Sequence, residues 1–422
     1  MRKYSEYKYS GVKWIGDIPK HWEVTRGKNI LNLITERSQS EVKVGLENIE
    51  GFTGQYVETE TKYDGEGVQV RVGDIVYGKL RPYLCKAWLA TFECNAVGDF
   101  YVFRCKNNNY TRYIHQLFLS HGFTDITNAS TYGARMPRVA SSFIQSLSFP
   151  IPPLAEQRAI VSYLDGKVGQ IDTYVAKQTQ QIELLKELKQ AVIANAVTKG
   201  IDNKAKLKQT GISWIGHVPQ HWEQCRLKNV VSCNNETLSN NTEPSLQIEY
   251  VEIADVKEME GIVRTTHYKF SEAPSRARRI TKNGDIILST VRTYLKAVAL
   301  VKQEGLIVST GFAVLRPKDC NQEYISYLLR SDYFLGEVSR RSFGISYPSI
   351  TTDALLSIEI PIPPLSEQRA IVSYIEAQTA NINKLIDAYQ QQVERVKEYK
   401  QRLISDAVTG KMNVTDEQTQ TN

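Results

Sequence analysis

Long apolar stretches and paired cysteine motifs are both missing from this 422-residue sequence. No apolar run approaches the roughly 18 residues that a transmembrane helix needs, and the opening MRKYSEYKYSGVKW lacks the hydrophobic segment of a signal peptide. The six cysteines form no CxxC pair, a pattern that favours free thiols in a reducing compartment. These absences predict a cytoplasmic protein that has no contact with a membrane.

The sequence also lacks the motifs of the common catalytic and cofactor-binding classes. It contains no GxxxxGK followed by Ser or Thr, no GxGxxG after a strand, no HExxH and no Asn/Asp-Pro-Pro-aromatic sequence of amino-methyltransferases. His217 and His221 are four residues apart, but Pro219 would break the helix that this metal-ligand spacing requires. We predict no catalytic residue, no metal site and no cofactor bound by this chain, and expect His21 and His221 to hold turns.

The composition is ordinary for a globular protein, with a slight excess of positive charge. Hydrophobic residues make up 41% and charged residues 23% of the chain. The formal net charge is +6 at pH 7, and the isoelectric point is about 8.8. This charge permits binding to a polyanion but does not establish it, and the length allows two or three domains with separate cores.

One 14-residue stretch occurs twice. Residues 150–163 read PIPPLAEQRAIVSY and residues 361–374 read PIPPLSEQRAIVSY, so that only Ala155 and Ser366 differ. The double proline suits the entrance of a helix, and Glu156 or Glu367 places negative charge at its positive end. Each copy therefore predicts the start of a helix.

Apolar residues then recur in steps of four and three, which is typical of a coiled-coil seam. Each predicted helix runs for about 43 residues, or ~65 Å, which is too long for one compact domain. Lys189 and Lys400 interrupt the seams at matching points, and Gly200 and Gly410 suit helix caps. An intramolecular pair is favoured over two separate core helices. The predicted seam comprises Leu164, Ile171, Val175, Ile182, Leu185, Val192, Ile375, Ile382, Ile386, Val393, Val396 and Leu403.

The duplication extends beyond the helices. GVKWIGDIPKHWE at residues 11–23 matches GISWIGHVPQHWE at residues 211–223, and later anchors match as Gly-Asp-Ile, Arg-x-Tyr-Leu and FYVFR with FAVLR. Asp74 and Asp285 follow glycine at a strand start, which is first of all a turn position. The chain is therefore two copies of a unit in which a globular part precedes a long helix, joined by a polar linker at residues 201–209.

Each globular part has the pattern of mixed strands and helices. The predicted strands are residues 68–72, 75–77, 100–104, 286–288, 297–301 and 312–315, and the predicted helices are residues 110–119 and 323–329. Residues 30–66 and 230–275 share almost nothing that can be aligned. Repeated anchors that carry different inserts suggest one scaffold that recognises two different things.

Basic residues cluster near glycine- and proline-bearing loops of both parts. Arginine binds phosphate and guanine edges through paired hydrogen bonds, although any single arginine is more often a solvated surface residue. The candidate nucleic-acid contacts are Lys79, Arg81, Arg135, Arg138, Arg276, Arg278, Arg279, Arg292, Arg340 and Arg341.

The duplicated set of WIGxxPxHWE, the Gly-Asp-Ile strand, PIPPLxEQRAI and a heptad helix resembles the specificity subunit of type I restriction–modification enzymes, from about Trp14 to Ala407. The resemblance implies a non-catalytic subunit that selects an asymmetric, two-part sequence in double-stranded DNA. It also implies binding to two methyltransferase (modification) subunits and to restriction/translocase subunits, which would hold S-adenosylmethionine, ATP and Mg²⁺.

The fold class implied is α+β, with two mixed α/β target recognition domains separated by two long antiparallel coiled-coil helices. The predicted boundaries are residues 1–152 for the first recognition domain, 153–200 for the central helix, 201–363 for the linker and second recognition domain, 364–412 for the C-terminal helix and 413–422 for a tail. The alternative is a coiled-coil adaptor whose two heads bind proteins. A self-sufficient nuclease or methyltransferase is disfavoured by the missing motifs.

Overall fold

The computed structural model describes residues 3–107, 110–212 and 215–414, so Trp214 of the repeated WIG motif and most of the predicted tail lie outside it. The chain forms two compact units, which are residues 1–180 with 389–422, and residues 181–388. The division passes through both long helices, so each unit holds one globular head and part of each helix. The predicted domain boundaries had instead assigned each helix to a domain of its own.

The first unit is built mainly from short strands, and its long helix follows the last of them. Its strands are β1 (Tyr7–Tyr9), β2 (Asp17–Pro19), β3 (Glu23–Arg26), β4 (Leu31–Ile34), β5 (Arg37–Ser38), β6 (Lys43–Val44), β7 (Gly67–Val70), β8 (Ile75–Gly78), β9 (Ala87–Leu89), β10 (Cys94–Ala96), β11 (Phe100–Cys105) and β12 (Ser148–Ile151). Its helices are α1 (Gly27–Ile30), α2 (Thr111–Phe118), α3 (His121–Ala129), α4 (Ser141–Ser146) and the long α5 (Leu154–Lys199), with 3-10 turns at Leu46–Asn48 and Pro82–Leu84.

Two four-stranded sheets form the first head. The antiparallel sheet β4-β11-β8-β9 has β11 at its centre, and Val102 pairs with Val76 on one side and Ile34 on the other. The second sheet has the order β5-β7-β10-β6, and β6 runs parallel to β10. Phe118 stacks on Phe123 with ring centroids 4.3 Å apart, so that helices α2 and α3 close the core over the first sheet.

The second unit repeats this plan. Its strands are β13 (Leu207–Gln209), β14 (His217–Pro219), β15 (Glu223–Arg226), β16 (Val231–Cys233), β17 (Gln247–Val251), β18 (Val256–Lys257), β19 (Gly261–Ile262), β20 (Thr266–Lys269), β21 (Ala277–Ile280), β22 (Ile286–Ser289), β23 (Val298–Leu300), β24 (Ile307–Ser309), β25 (Phe312–Pro317) and β26 (Glu359–Ile362). Its helices are α6 (Leu227–Val230), α7 (Gln322–Leu329), α8 (Asp332–Arg341), α9 (Thr352–Leu356) and the long α10 (Leu365–Val408), with 3-10 turns at Ile253–Asp255, Phe270–Glu272 and Thr293–Leu295.

The two sheets of the second head match those of the first except at one edge. The sheet β16-β25-β22-β23 corresponds strand for strand to β4-β11-β8-β9. In the other sheet, β21-β24-β17 corresponds to β7-β10-β6, and the parallel pair is β17 with β24. The fourth strand, β20, pairs with β17, whereas β5 pairs with β7 at the opposite edge.

The long helices pack against each other within each unit. In the first unit Asp172 of α5 accepts a hydrogen bond from Lys400 of α10 at 2.7 Å, and Tyr174 donates to Gln392 at 3.2 Å. In the second unit Lys189 of α5 donates to Asn383 of α10 at 2.9 Å. In the first unit, residues later in α5 meet residues earlier in α10, so the helices run antiparallel there.

The seam positions are the ones withdrawn from solvent along both helices. Every residue of the predicted seam is buried or half-buried, whereas most residues between them are exposed. The two lysines that interrupt the seam are hydrogen-bonded, since Lys400 pairs with Asp172 and Lys189 with Asn383. Polar seam positions that satisfy each other can fix the register of a helix pair.

Several expectations for the local structure need correction. The predicted polar linker ends in a strand, because Leu207–Gln209 forms β13 and pairs with His217–Pro219, as Tyr7–Tyr9 pairs with Asp17–Pro19. Helices α3 and α8 were missed, because each is short and begins directly after another helix. Their starts are capped by the hydroxyls of Ser120 and Ser331, which accept hydrogen bonds from the backbone N–H three residues on.

Candidate nucleic-acid interface

Two loops of the first head meet at one end of the strands of the sheet β4-β11-β8-β9, and we call this end the edge of the sheet. The first, which we call the arginine turn, is residues 81–85 after β8; the second, the glycine loop, is residues 132–138 after α3. The Arg81 N–H donates to the Pro137 carbonyl at 2.7 Å, and the Val139 N–H donates to the Lys79 carbonyl at 3.1 Å. The turn before β11 joins them, since the Lys79 N–H donates to the Asp99 carbonyl at 2.9 Å.

The second head builds the same edge from an arginine turn at residues 292–296 and a glycine loop at residues 343–349. The Thr293 N–H donates to the Pro348 carbonyl at 3.3 Å, and the Ile350 N–H donates to the Thr290 carbonyl at 2.9 Å. The Thr290 N–H also donates to Gly311 in the turn before β25 at 2.8 Å. Two of the three backbone hydrogen bonds are therefore equivalent in the two heads, and the third has its donor one residue later in the second head, where Thr293 replaces Pro82.

The arginine turn holds non-glycine residues in a conformation that they rarely adopt. Arg81 and Arg292 have φ values of +50° and +52°, and Cys85 and Lys296 both have φ of +47°. Such residues cost of order 1–3 kcal/mol each and tend to occur at binding sites, where surrounding contacts hold them. The same strain in both heads indicates that the turn has a function beyond connecting two strands.

The glycine loop exposes its tip in both heads. Gly133 and Gly344 have φ of +91° and +98°, and a Cβ on either would lie within 3.3 Å of the carbonyl oxygen three residues on. Glycine is therefore needed to close the loop. Beyond it, Ile345 is 102% and Tyr347 66% exposed in the second head.

Some of the candidate basic residues of the first head are neutralised. Arg138 donates to both oxygens of Asp99, at 3.2 and 2.9 Å, and Lys79 lies 3.6 Å from the same carboxylate. The hydrogen bonds from Arg138 are the main reason that the pKa of Asp99 is lowered. Arg81 and Arg135 are exposed and form no ion pair with the residues that the structure describes.

In the second head the arginines fall into two groups. Arg292 lies over the Tyr347 ring with its guanidinium carbon 5.0 Å from the centroid. Arg340 and Arg341 at the end of α8 precede the glycine loop, and both donate to Glu337, at 2.7 and 2.5 Å. Those hydrogen bonds lower the pKa of Glu337, and the bond from Arg340 has the largest effect.

The SRARR cluster spans the start of strand β21 and is less available than its sequence suggested. Arg276 is exposed, and its carbonyl accepts a hydrogen bond from Thr310 at 2.9 Å, next to the duplicated edge. Arg278 packs on the Phe270 ring at 4.6 Å. Arg279 is half-buried, which lowers the pKa of its guanidinium. The strand register is irregular between Ala277 and Arg279, and the two guanidinium groups have different surroundings, since that of Arg278 lies on an aromatic ring and that of Arg279 is half-buried.

Sequence reasoning missed a pair of polar contacts that attach each head to its helix. Glu156 near the start of α5 accepts hydrogen bonds from His21 at 2.6 Å and Trp22 at 2.9 Å. Glu367 near the start of α10 accepts from His221 at 2.7 Å and Trp222 at 3.0 Å. The repeated HWE therefore binds the repeated glutamate, a link that the presence of both motifs in each copy could have suggested.

The two Gly-Asp-Ile aspartates are buried ion-pair partners as well as turn residues. Asp74 accepts from Arg104 at 2.7 and 2.6 Å, and Asp285 accepts from Arg316 at 2.7 and 2.8 Å. Each also accepts a backbone N–H three residues earlier, which closes the turn. These carboxylates support the sheet and are not free for chemistry.

Within residues 3–107, 110–212 and 215–414, no three His, Cys, Asp or Glu side chains are grouped so that they could hold a metal ion. In the same ranges no helix has the length and apolar character needed to cross a membrane.

Comparisons with known proteins all point to one family. The type I restriction modification DNA specificity domain matches residues 19–184 and 219–395. The MjaVIII specificity subunit of Methanocaldococcus jannaschii is 25% identical over 94% of each chain, and the EcoBI specificity subunit of Escherichia coli is 22% identical over 84% of this chain and 77% of its own.

Solved structures show the same fold. A chain from work on complex assembly and conformational transition of the type I R-M system has a TM-score of 0.71 at 21% identity, and covers 94% of this chain and 99% of that one. The HsdS subunit of Thermoanaerobacter tengcongensis has a TM-score of 0.51 at 20% identity, with 94% and 98% covered. With two matched domains that span most of the chain, this protein belongs to the family of type I restriction–modification DNA specificity subunits.

Proposed function

We propose that this chain is the DNA sequence-recognition subunit of a type I restriction–modification complex and that each head binds one half of an asymmetric, two-part target. The observation that carries the proposal is the duplicated edge, whose backbone is similar in both heads while the exposed side chains of its glycine loop differ. Such an arrangement suits two related but unequal half-sites. Arg81, Arg135, Arg276 and Arg292 are its exposed cations.

The partners in this proposal are two methyltransferase subunits and the restriction/translocase subunits. Near-identical residues 150–163 and 361–374 support two equivalent sites, because folding alone does not require such strict identity. The chain would work in the cytoplasm, where the DNA is. Catalysis, S-adenosylmethionine, ATP and Mg²⁺ are assigned to the partners, since this chain lacks the motifs that bind nucleotides.

Domain exchange tests the recognition role. Replacing residues 30–145 by the matching region of a relative should change one half of the methylated motif, as mapped by sequencing of modified bases, and replacing residues 230–357 should change the other. A change in both halves, or in neither, would contradict the assignment. Binding of the complex to duplex DNA should also weaken steeply with salt, because each phosphate contact releases counterions. Salt-independent binding to proteins would favour an adaptor.

A further inference from the structure

The arginine turn presents the same exposed groups in both heads. Tyr83 and Tyr294 are 45% and 58% exposed, and Leu84 and Leu295 are 38% and 39% exposed. With Arg81 and Arg292 they repeat the sequence Arg-x-Tyr-Leu on an equally strained backbone. Identical groups in two heads cannot distinguish two different half-sites, so their partner must be a feature common to both.

The glycine loop keeps its backbone but changes its tip. Bridges join Tyr132 to Arg138 and Phe343 to Ser349, so the two loops close in the same way. Between the closing residues, the first head has Ala134, Arg135 and Met136, whereas the second has Ile345, Ser346 and Tyr347. A clear chemical difference between the two heads therefore falls at the exposed tip of this loop.

We propose that the glycine-loop tips read the bases of the two half-sites, and that the arginine turns beside them bind phosphate without regard to sequence. This inference rests on the proposed function and assigns base recognition to one loop and phosphate binding to the other. Arginine and tyrosine are common phosphate ligands, and phosphate contacts set the position of a protein on DNA while base contacts specify sequence.

The two tips differ in the chemistry by which they can select a base. Arg135 can donate two hydrogen bonds to O6 and N7 of guanine in the major groove. Ile345 has no donor or acceptor in its side chain, so its contact in that groove is apolar, and the 5-methyl group of thymine is the matching partner. The first half-site should therefore contain a guanine read by Arg135, and the second a thymine contacted by Ile345.

Charge beside the second tip favours DNA over another apolar surface. Ile345 and Tyr347 form an exposed apolar tip, which could equally serve self-association. Arg292 lies against Tyr347, and exposed Arg276 directly precedes strand β21, with its carbonyl hydrogen-bonded to the N–H of Thr310 beside the same edge. A surface that combines apolar tips with cations complements a polyanion that carries base edges, whereas a second copy of the same surface would repel it.

A tip exchange tests the reading role in the full-length chain assembled with its methyltransferase. The variant carries Ile345→Ala, Ser346→Arg and Tyr347→Met, which gives the second head the tip of the first. The methylated motif should change in the second half-site alone. Ile345→Ala by itself should lower binding to the native target by about 5- to 150-fold and relax the preference for thymine.

Val263→Ala is the matched control, because Val263 is also an exposed aliphatic residue of the second head, at 47%. It should leave the motif and the affinity unchanged. Retention of the native motif by a tip-exchange complex that still methylates would overturn the reading role. If the complex without any substitution shows no salt-dependent binding to DNA, the proposed function itself is overturned. Concentration-dependent dimers abolished by Ile345→Ala, with the motif unchanged, would assign the tip to self-association.

Arg81→Ala and Arg292→Ala test the phosphate role. Each should weaken binding to specific and nonspecific duplexes by the same factor and reduce the slope of log affinity against log salt by about 1. Circular dichroism melting identifies a variant that has lost its fold. If Arg292→Ala does so, Arg292→Lys replaces it in the test, because lysine keeps the charge without the planar guanidinium. Relaxation of one base position by either alanine variant would show that the turn reads sequence.

Discussion

The two heads share a frame but differ in three connected ways. The aromatic core around Phe118, Phe123 and Phe149 in the first head is replaced around Leu329 by mostly aliphatic residues in the second. The fourth strand of the second four-stranded sheet lies at opposite edges of that sheet in the two heads. Within the described part of the second head, strand β5 has no full counterpart, since Thr237 forms only an isolated bridge with Arg279.

The third difference is an ionic cluster that is replaced as a set. Lys79, Asp99 and Arg138 form ion pairs at the loop edge of the first head. Thr290, Gly311 and Ser349 occupy the matching positions of the second, where backbone hydrogen bonds hold the same loops. Because all three residues are replaced together, no charge is left unpaired. The side chains of this edge have therefore changed as a set, while the backbone hydrogen bonds keep the shape of the loops.

The largest expected effect is on the core of the first head. Phe118→Ala removes a ring that stacks on Phe123 at 4.3 Å and should lower the free energy of unfolding by about 3–5 kcal/mol. Leu329→Ala at the matching buried position should cost about 2–5 kcal/mol. Urea titration of each full-length variant measures both. A greater loss for Leu329→Ala would show that aromatic stacking adds little to the first head.

The buried aspartates should differ in importance. Asp74→Ala leaves Arg104 without its carboxylate partner, whereas Asp285→Ala leaves Arg316 with Glu236, which accepts from it at 2.8 Å. We expect a loss of about 2–4 kcal/mol for Asp74→Ala, because an ion pair with one buried member is broken, and a smaller loss for Asp285→Ala. Equal losses in urea titration would mean that Glu236 does not compensate.

The contacts between heads and helices should also be unequal. Glu156 accepts a third hydrogen bond, from the Tyr4 hydroxyl at 3.0 Å, and among the residues that the structure describes this bond has no counterpart at Glu367. Glu156→Ala should therefore destabilise the chain by about 1–3 kcal/mol, and Glu367→Ala by about 1 kcal/mol less. Tyr4→Phe should remove most of that difference. If it leaves the difference intact, the third hydrogen bond is not its cause.

The smallest effect concerns the ionic cluster. Asp99→Asn should cost about 0–1 kcal/mol at neutral pH, because the pairs are partly exposed. The pKa of Asp99 is lowered in the folded chain, so its contribution is complete above the unfolded value of 3.8 and is lost as the pH falls through the lower folded value. The difference in melting temperature between the two proteins should shrink below about pH 4. A difference that grows there would contradict this linkage.

Much of the frame could be predicted from the sequence because its signals are local or repeated. The seam follows from a periodicity along one helix, and Pro152, Pro153 and Glu156 mark a helix start without reference to other segments. The pairing of Arg340 and Arg341 with Glu337 also has a local signal, since residues three and four apart share one helix face. Its omission left two neutralised arginines among the candidate DNA contacts.

Other features depend on residues that only the folded chain brings together. Residues 30–66 and 230–275 have little sequence in common, yet both contain a 3-10 turn in which Asn48 or Asp255 accepts a backbone hydrogen bond, followed by Phe52 or Met259 at positive φ. Many side chains can satisfy one backbone path, so sequence comparison does not detect it.

By itself, the sequence determined that the chain is a duplicated unit with two long helices and two divergent heads, because repetition and periodicity survive in one dimension. Only the tertiary structure decided which of its cations remain free. Arg138 binds Asp99, which is 39 residues away in the sequence, Arg278 packs on Phe270 and Arg279 is half-buried, whereas Arg81 and Arg135 stay exposed. Ion pairing and strand geometry act between distant segments, so the surface left for DNA is a property of the fold.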